Sequence, residues 1–180
     1  MDGLADALRD AAYLEGDFVL RSGRRSTYYL DKYRFETHPE LLRALGERIA
    51  QRAADVGESP DLLAGPELGA VALAAAASLA GGLPFLIVRK DAKEYGTAKR
   101  IEGVFEPGQR VCLVEDVVTT GGAAVSAIEA LRAAGLEVRA AVCVVDREEG
   151  GVDELARHAV RLRPLFTASE LLKTPANPLG

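Results

Sequence analysis

The sequence contains 180 residues, of which 48% are hydrophobic, and it carries 22 Lys and Arg against 27 Asp and Glu, a formal net charge of −5. This length predicts one domain, since domains average about 150 residues, and the composition is ordinary for a globular protein. The acidic balance argues against nucleic acid as a partner, because nucleic-acid-binding proteins present a basic face. It leaves room for a local anion-binding site, because net charge describes the whole surface and not one pocket.

Composition also argues against a membrane or secreted protein. The longest apolar stretch, 70–83, is rich in alanine and includes Ser78 and two glycines, so it is too short and too weakly apolar to cross a bilayer. The N-terminal residues are acidic and polar, unlike a secretory signal. Cys112 and Cys143 lie in Val- and Leu-rich runs, and we interpret both as small buried apolar residues. We therefore expect a cytoplasmic protein with no membrane partner.

The pattern of predicted elements differs between the N-terminal part and the rest of the chain. The N-terminal part predicts a helix over 2–13, two short strands over 18–20 and 27–30, and an amphipathic helix over 39–55. From there on, short apolar runs alternate with helices: runs at 62–64, 85–88, 111–114, 138–145 and 160–162, helices ending near Ala80 and Ala134, and a final helical turn after a capping-box sequence at 167–170. This alternation predicts an α/β fold with a mostly parallel sheet flanked by helices. Such sheets bind ligands beyond the carboxyl ends of their strands.

The segment after the run at 111–114 carries the strongest motif. Two acids, two hydroxyl residues and two glycines lead into the next helix, in the order Glu115, Asp116, Val117, Val118, Thr119, Thr120, Gly121, Gly122 and Ala123. Glycine N–H groups and a helix start can cradle a phosphate, whereas adjacent carboxylates suit the hydroxyls of a sugar. A plain strand-to-helix turn is the alternative, and the acid pair makes it less favourable. The motif therefore predicts a site for a phosphorylated sugar.

Two segments are basic within this acidic chain. From 89 to 100 there are five basic and two acidic residues, and three of the five lysines lie between 90 and 99. Glycines at 96 and 103 would let this segment act as a mobile loop that covers a polyanion during reaction, although charge alone fits a solvated loop equally well. Residues 21–34 hold five positive charges against one negative charge, and an N-terminal hairpin with exposed arginines accounts for them.

Several motifs together carry a resemblance to one enzyme family. VCLVEDVVTTGGA resembles the signature with which type I phosphoribosyltransferases bind phosphoribosyl diphosphate (PRPP). RKDAKEYG is similar to the Arg-Lys-x-x-Lys-x-His-Gly loop of the orotate phosphoribosyltransferases, LRSGRRSTYYLD to their N-terminal segment, and Asp146-Arg147 to their late-strand Asp-Arg pair. The resemblance runs from about position 14 to the C-terminal helix. It implies a single type I phosphoribosyltransferase domain over 1–180, with a small N-terminal hood at about 1–35 and a core at about 60–165.

The resemblance also implies roles for individual residues. Lys93 and Asp116 would be catalytic, and PRPP would be bound by Arg89, Lys90, Lys93, Glu115, Asp116, Val117, Val118, Thr119, Thr120, Gly121, Gly122 and Ala123. Thr119 and Arg147 would bind orotate, Arg147 as a bidentate partner of a planar carboxylate; Arg21, Tyr29 and Tyr95 are further candidates. Mg²⁺ would be the cofactor, held mainly by diphosphate, ribose hydroxyls and water, so no metal ligand is assigned. A homodimer sharing the basic loop across its interface is implied as well.

Three positions depart from the family pattern. Tyr95 stands where the family loop has histidine, which argues against an acid–base role there, and Arg21 replaces a lysine. Residues 65–69 lack the Tyr-Lys pair that many members carry, so they form either a diphosphate-facing loop or a simple tight turn. The implied reaction is a pentosyl transfer from PRPP to orotate, in pyrimidine (UMP) biosynthesis. A phosphoribosyltransferase for a purine or other base, and a non-catalytic PRPP-sensing regulator, remain the alternatives.

Overall fold

The computed structural model describes residues 3–19, 23, 25–55, 59–91 and 100–173. Helix α1 (Leu4–Ala12) leads into an antiparallel hairpin of β1 (Tyr13–Val19) and β2 (Arg25–Leu30), which is followed by α2 (Lys32–Glu36) and α3 (Pro39–Ala54). The first helix ends at Ala12 and β1 begins at Tyr13, five residues before the predicted strand, because the Tyr13 ring stacks on Tyr28 of β2 with centroids 5.8 Å apart. Helix α2 was not predicted, since five residues are too few to show helical periodicity.

The rest of the chain forms a six-stranded sheet with helices on both faces. Its elements are β3 (Leu62–Pro66), α4 (Gly69–Gly81), β4 (Phe85–Val88), β5 (Ile101–Glu102), β6 (Arg110–Val118), α5 (Gly122–Ala133), β7 (Glu137–Asp146), α6 (Gly151–Arg157), β8 (Arg161–Thr167) and α7 (Ala168–Lys173). The strand order is β5-β4-β3-β6-β7-β8, and the pairs are parallel except for β4 with β5. The predicted mostly parallel α/β architecture is confirmed, whereas the short β5 and α6 were not predicted.

Burial on both faces explains the continuous apolar runs. In β6, Cys112 and Val114 pack into the core that α3 and α4 cover, and Leu113 packs into the core on the opposite face, against Ile128 of α5. Residues on both faces of the strand therefore need apolar side chains. Cys112 and Cys143 are unpaired and buried, as predicted, and burial raises the pKa of the Cys112 thiol to about 12.

The start of α7 has the local capping that the sequence predicts. The capping box before α7 forms as predicted, with Thr167 N donating to Glu170 Oε2 at 2.8 Å and Glu170 N donating to Thr167 Oγ1 at 3.2 Å.

The chain passes from β3 outward to β4 and then returns to β6 on the other side of β3. A crevice opens at such a switch point, beyond the carboxyl ends of the strands.

Among the described helices, none combines the length and apolar character that a membrane span requires.

Candidate active site

A cleft of about 520 Å³ lies at this switch point. It is bounded by the carboxyl ends of β3, β4 and β6 and by parts of α2, α4 and α5. Its lining residues are Lys32, Pro66, Glu67, Gly69, Val88, Arg89, Lys90, Arg100, Glu115, Asp116, Val117, Ala123, Ser126 and Ala127. Six of the sequence-predicted site residues therefore meet in one cleft: Arg89, Lys90, Glu115, Asp116, Val117 and Ala123.

The acid pair at the end of β6 is buried, and its two members differ in their hydrogen bonding. Asp116 is 5% exposed, and its Oδ1 accepts a hydrogen bond of 2.5 Å from the backbone N of Val117 while its Oδ2 accepts one of 2.5 Å from Lys32 Nζ. Glu115 Oε1 is buried and finds no hydrogen-bond partner among the described residues. Burial, and secondarily the charge of Asp116, raises the pKa of Glu115 to about 8. The pair therefore carries acceptor oxygens that a sugar hydroxyl could satisfy.

Helix α2 brings two further charged residues to Asp116 that sequence reasoning missed. Lys32 was noticed only as one member of the basic stretch 21–34, and Glu36 was not noticed at all. Glu36 is 4% exposed, and its Oε1 also lacks a partner within the described ranges. Burial and the neighbouring Asp116 raise the pKa of Glu36 to about 7, while Lys32 opposes this rise. Burial lowers the pKa of Lys32, but its hydrogen bond and attraction to Asp116 outweigh that effect and raise it.

The turn between β3 and α4 closes the cleft beside these acids. A Cβ atom on Gly69 would overlap Asp116 Oδ2 and would lie 2.6 Å from Glu36 Oε1, so the site accepts only glycine there without rearrangement. The Glu67–Leu68 peptide is cis. Glu67 Oε1 accepts a hydrogen bond of 2.6 Å from the backbone N of Lys90, which joins this turn to the end of β4. Pro66, Glu67 and Gly69 of this segment line the cleft, and a contact of 65–69 with diphosphate stays a prediction.

The two ends of the basic segment are fastened together at the cleft. Arg89 N donates to Arg100 O at 2.8 Å, and Arg100 Nε donates back to Arg89 O at 3.0 Å. Arg100 Nη2 also donates to Ser126 Oγ of α5 at 2.8 Å, a contact that sequence reasoning missed. The intervening residues 92–99, including Lys93 and Tyr95, lie outside the described residues, as does Arg21.

The turn from β6 to α5 has the backbone that an anion cradle needs. Val118 is buried at 3% exposure, whereas Thr119 and Thr120 are exposed at the turn. Gly121 has a φ of 88°, and a Cβ atom there would lie 2.9 Å from Leu155 Cδ1. A Cβ atom on Gly122 would meet nothing within 4 Å, so the first turn of α5 is open to solvent at that point. Backbone N–H groups at an open helix start are suited to a phosphate.

Arg147 lies beside this turn but faces the N-terminal hairpin. Its backbone N donates to Val118 O at 2.8 Å, its guanidinium lies 5.2 Å from the centroid of the Tyr28 ring, and its Nη2 is 3.3 Å from Glu149 Oε1. The side chain is 10% exposed, and its buried Nε has no partner in the described part of the chain. Tyr28 is therefore the tyrosine of β2 that contacts Arg147. Tyr29 packs against Phe18 instead, with centroids 5.6 Å apart.

A crevice at the switch point of a parallel sheet, with an acid pair leading into a glycine turn and cations opposite, defines a phosphoribosyltransferase. In agreement, residues 33–163 match the family described as phosphoribosyl transferase domain. The orotate phosphoribosyltransferase of Methanocella arvoryzae is 54% identical over 87% of this chain and 88% of its own length. That of Halobacterium salinarum is 51% identical over 95% of this chain and 96% of its own length. The chain belongs to the orotate phosphoribosyltransferase family.

Solved structures agree with this assignment. The orotate phosphoribosyltransferase of Aeropyrum pernix superposes with a TM-score of 0.81 at 36% identity, covering 94% of this chain and 96% of that chain. The Mycobacterium tuberculosis orotate phosphoribosyltransferase in complex with PRPP superposes with a TM-score of 0.78 at 31% identity, covering 93% of this chain and 96% of that chain.

Proposed function

We propose that this chain transfers the ribose 5-phosphate group of PRPP to orotate, giving orotidine 5′-monophosphate and diphosphate, in pyrimidine biosynthesis. The observation that carries the proposal is the meeting of Glu115 and Asp116 with Arg89 and Lys90 in one cleft. A sugar bearing two anionic groups needs both kinds of residue, acceptors for its hydroxyls and cations for its phosphates. Membership of the orotate phosphoribosyltransferase family supports the same activity.

Each part of PRPP has a proposed partner. The ribose hydroxyls donate to side-chain oxygens of Glu115 and Asp116. The 5-phosphate accepts hydrogen bonds from the residues 119–123, where Gly121 and Gly122 leave the backbone N–H groups of the first turn of α5 accessible. The diphosphate faces Arg89 and Lys90, at the end of β4.

The reaction is a displacement at the anomeric carbon with inversion, through a transition state of oxocarbenium character. Its difficulty is the negative charge that grows on the departing diphosphate. Arg89, Lys90 and Lys93 stabilise that charge. A loop that closes over the cleft also excludes water and so limits hydrolysis of PRPP.

Orotate is proposed to bind between Thr119 and Arg147. A guanidinium is well suited to bind a planar carboxylate, since it donates two parallel hydrogen bonds. Arg147 is pre-positioned by Tyr28 beneath it and by Glu149 at 3.3 Å, and its buried Nε remains to be satisfied.

Mg²⁺ is the proposed cofactor, and the cleft fits an ion that arrives with the substrate. Among the described residues there is no group of three or more His, Cys, Asp or Glu that could hold a metal ion. Mg²⁺ keeps several waters and often binds through substrate phosphates, so Glu115 and Asp116 would reach it through water and ribose hydroxyls. Bound to PRPP, the ion would neutralise charge on the leaving group.

We further propose a cytoplasmic homodimer that shares the basic loop between subunits. Leu68, beside the cleft, and Leu79, on α4, are 74% and 89% exposed and are candidates for residues that the interface covers. Mixing Lys93→Ala and Asp116→Asn proteins tests the shared loop. If the loop crosses the interface, mixed dimers regain one complete site and activity returns; if it does not, the mixture stays inactive.

Loss of orotate ultraviolet absorbance in the presence of PRPP and Mg²⁺ tests the activity. Wild-type protein should consume orotate, and Asp116→Asn should lose most of that activity. Turnover of a purine base without turnover of orotate would identify a different phosphoribosyltransferase. PRPP binding with no turnover of any base would identify a sensor rather than an enzyme.

A further inference from the structure

Lys32 stands out because it reaches the cleft from outside the segments that the reaction above uses. It begins α2, and its Nζ lies 2.5 Å from Oδ2 of Asp116, a residue 84 positions later in the chain. Its side chain is 33% exposed and lines the same cleft as Arg89 and Lys90. The hydrogen bond to Asp116 uses one of the three N–H donors of the ammonium group, which leaves two donors for the cleft.

The neighbouring turn leaves a gap in positive charge that Lys32 can fill. Gly69 is the residue of the β3–α4 turn that touches Asp116, and even a Cβ atom there would overlap Oδ2 of that carboxylate. The turn therefore cannot send a cationic side chain into the cleft from position 69. Its one charged residue that lines the cleft, Glu67, is an acid. Any cation on this side of Asp116 must come from another element.

Lys32 is one of four cations among the described residues that line the cleft. In the described part of the chain, the lining residues with charged side chains are the cations Lys32, Arg89, Lys90 and Arg100 and the acids Glu67, Glu115 and Asp116. Arg100 is engaged with Arg89 O and Ser126 Oγ. A substrate that carries both a phosphate and a diphosphate is stabilised by each cation in the cleft, and Lys32 supplies one beside Asp116 in addition to those at the end of β4.

We propose that Lys32 is a further substrate-contacting residue of this site: its ammonium group orients Asp116 for the ribose hydroxyls and at the same time donates to the diphosphate of PRPP. The assignment rests on the proposed function. Glu36, on the same helix, is buried near this pair. Lys32 takes part in no covalent step, so its contribution is to bind the substrate and to stabilise its negative charge.

Calorimetric titrations with two probes separate the diphosphate contact from a purely structural role. The probes are PRPP with Mg²⁺ and ribose 5-phosphate, which lacks the diphosphate. For Lys32→Met, we expect the affinity for PRPP to fall about 10-fold or more relative to the affinity for ribose 5-phosphate, as is typical for loss of a charged hydrogen bond. Lys32→Arg should restore most of the PRPP affinity.

Arg34→Met is the matched control, since Arg34 lies on the same helix and pairs with Asp31 at 3.4 Å rather than lining the cleft. Its ratio of the two affinities should equal that of wild type. Both affinities are measured on one sample, so partial unfolding of a variant cancels from the ratio. Equal losses for both probes in Lys32→Met would overturn the diphosphate contact. Failure of the wild-type protein to bind PRPP would instead overturn the proposed function itself.

Discussion

Gly69 and Asp116 lie so close that a Cβ atom on the glycine would overlap Oδ2 of the carboxylate. The contact joins the first residue of α4 to the end of β6, and it holds the β3–α4 turn against the acid that is proposed to bind ribose. Glu36 closes the same space from α2, with Oε1 at 2.6 Å from that Cβ position. Three elements that are far apart in sequence are therefore fitted together around one carboxylate.

The first prediction is that Gly69→Ala impairs PRPP binding. The added methyl group must displace Asp116 or Glu36, at a cost of about 1–3 kcal/mol in the free energy of unfolding. The KM for PRPP should rise at least 10-fold, with a smaller change in the KM for orotate. Steady-state kinetics and urea unfolding measure both effects. Gly3→Ala is the control, because a Cβ atom on Gly3 meets nothing within 4 Å; equal behaviour of the two variants would contradict the prediction.

Lys93→Ala should lower kcat sharply without unfolding the protein. Loss of one group that stabilises transition-state charge typically costs about 100-fold in rate. Lys99→Ala removes the same charge from the same basic segment, at a position that the family loop motif does not include, and should cost much less. Wild-type kcat in the Lys93→Ala protein would show that the catalytic-loop assignment is wrong.

Arg100→Lys should weaken the closure of the basic segment. Lysine carries a single nitrogen and cannot reproduce the planar fork with which the guanidinium donates from two nitrogens, to Arg89 O at 3.0 Å and to Ser126 Oγ at 2.8 Å. We expect kcat/KM for PRPP to fall about 10-fold, with Ser126→Ala causing part of that loss. Arg161→Lys, exposed on β8, is the control. If Arg100→Lys and Arg161→Lys had equal kcat/KM values, the two hydrogen bonds would have no role in closure.

The sequence motifs predicted what lies close together along the chain. Glu115 and Asp116 were found because strand, acids and glycine turn are contiguous, and parallel strands end at one edge of the sheet, which brought Arg89 and Lys90 to the same place. The capping box at 167–170 was predicted for the same reason, since its two hydrogen bonds join residues three positions apart.

Contacts between distant segments could not be predicted in this way. Lys32 and Glu36 lie on a five-residue helix that packs against α1, α3 and α4, and nothing in the residues near them indicates Asp116 as their neighbour. The contact between Tyr28 and Arg147 depends on which face of β2 turns toward Arg147, because adjacent residues of a strand point to opposite faces.

Arg147→Lys should raise the KM for orotate while leaving the KM for PRPP nearly unchanged. A lysine cannot form two parallel hydrogen bonds to a carboxylate, and it stacks less well on the Tyr28 ring. We expect a loss of about 10- to 100-fold in orotate affinity. Arg139→Lys, on the strand that ends just before Arg147 and paired with Glu137 at 3.0 Å at the surface, provides the control. Equal increases in both KM values would indicate a general distortion of the site rather than a contact with orotate.

Glu36→Gln should stabilise the protein at neutral and higher pH. The pKa of Glu36 is raised from 4.5 to about 7 by burial and by Asp116, so between these values the folded protein holds a proton that the unfolded chain has released. The contribution of Glu36 to the free energy of unfolding therefore falls as pH rises from 4.5 to 7 and stays low above that. Glutamine remains neutral throughout, and the variant should gain up to about 3 kcal/mol over wild type by pH 8.

Urea unfolding of both proteins at pH 5, 6, 7 and 8 measures this difference. The advantage of Glu36→Gln should be smallest at pH 5 and should grow up to about pH 7, because Asp116, Lys32 and Asp31 are the charged groups that act on Glu36 and all three remain in the variant. Glu40→Gln, an exposed substitution in the first turn of α3, should run parallel to wild type across the same range. A difference between Glu36→Gln and wild type that does not change with pH would mean that the folded protein does not hold a proton on Glu36, and that Lys32 compensates both acids of this cluster.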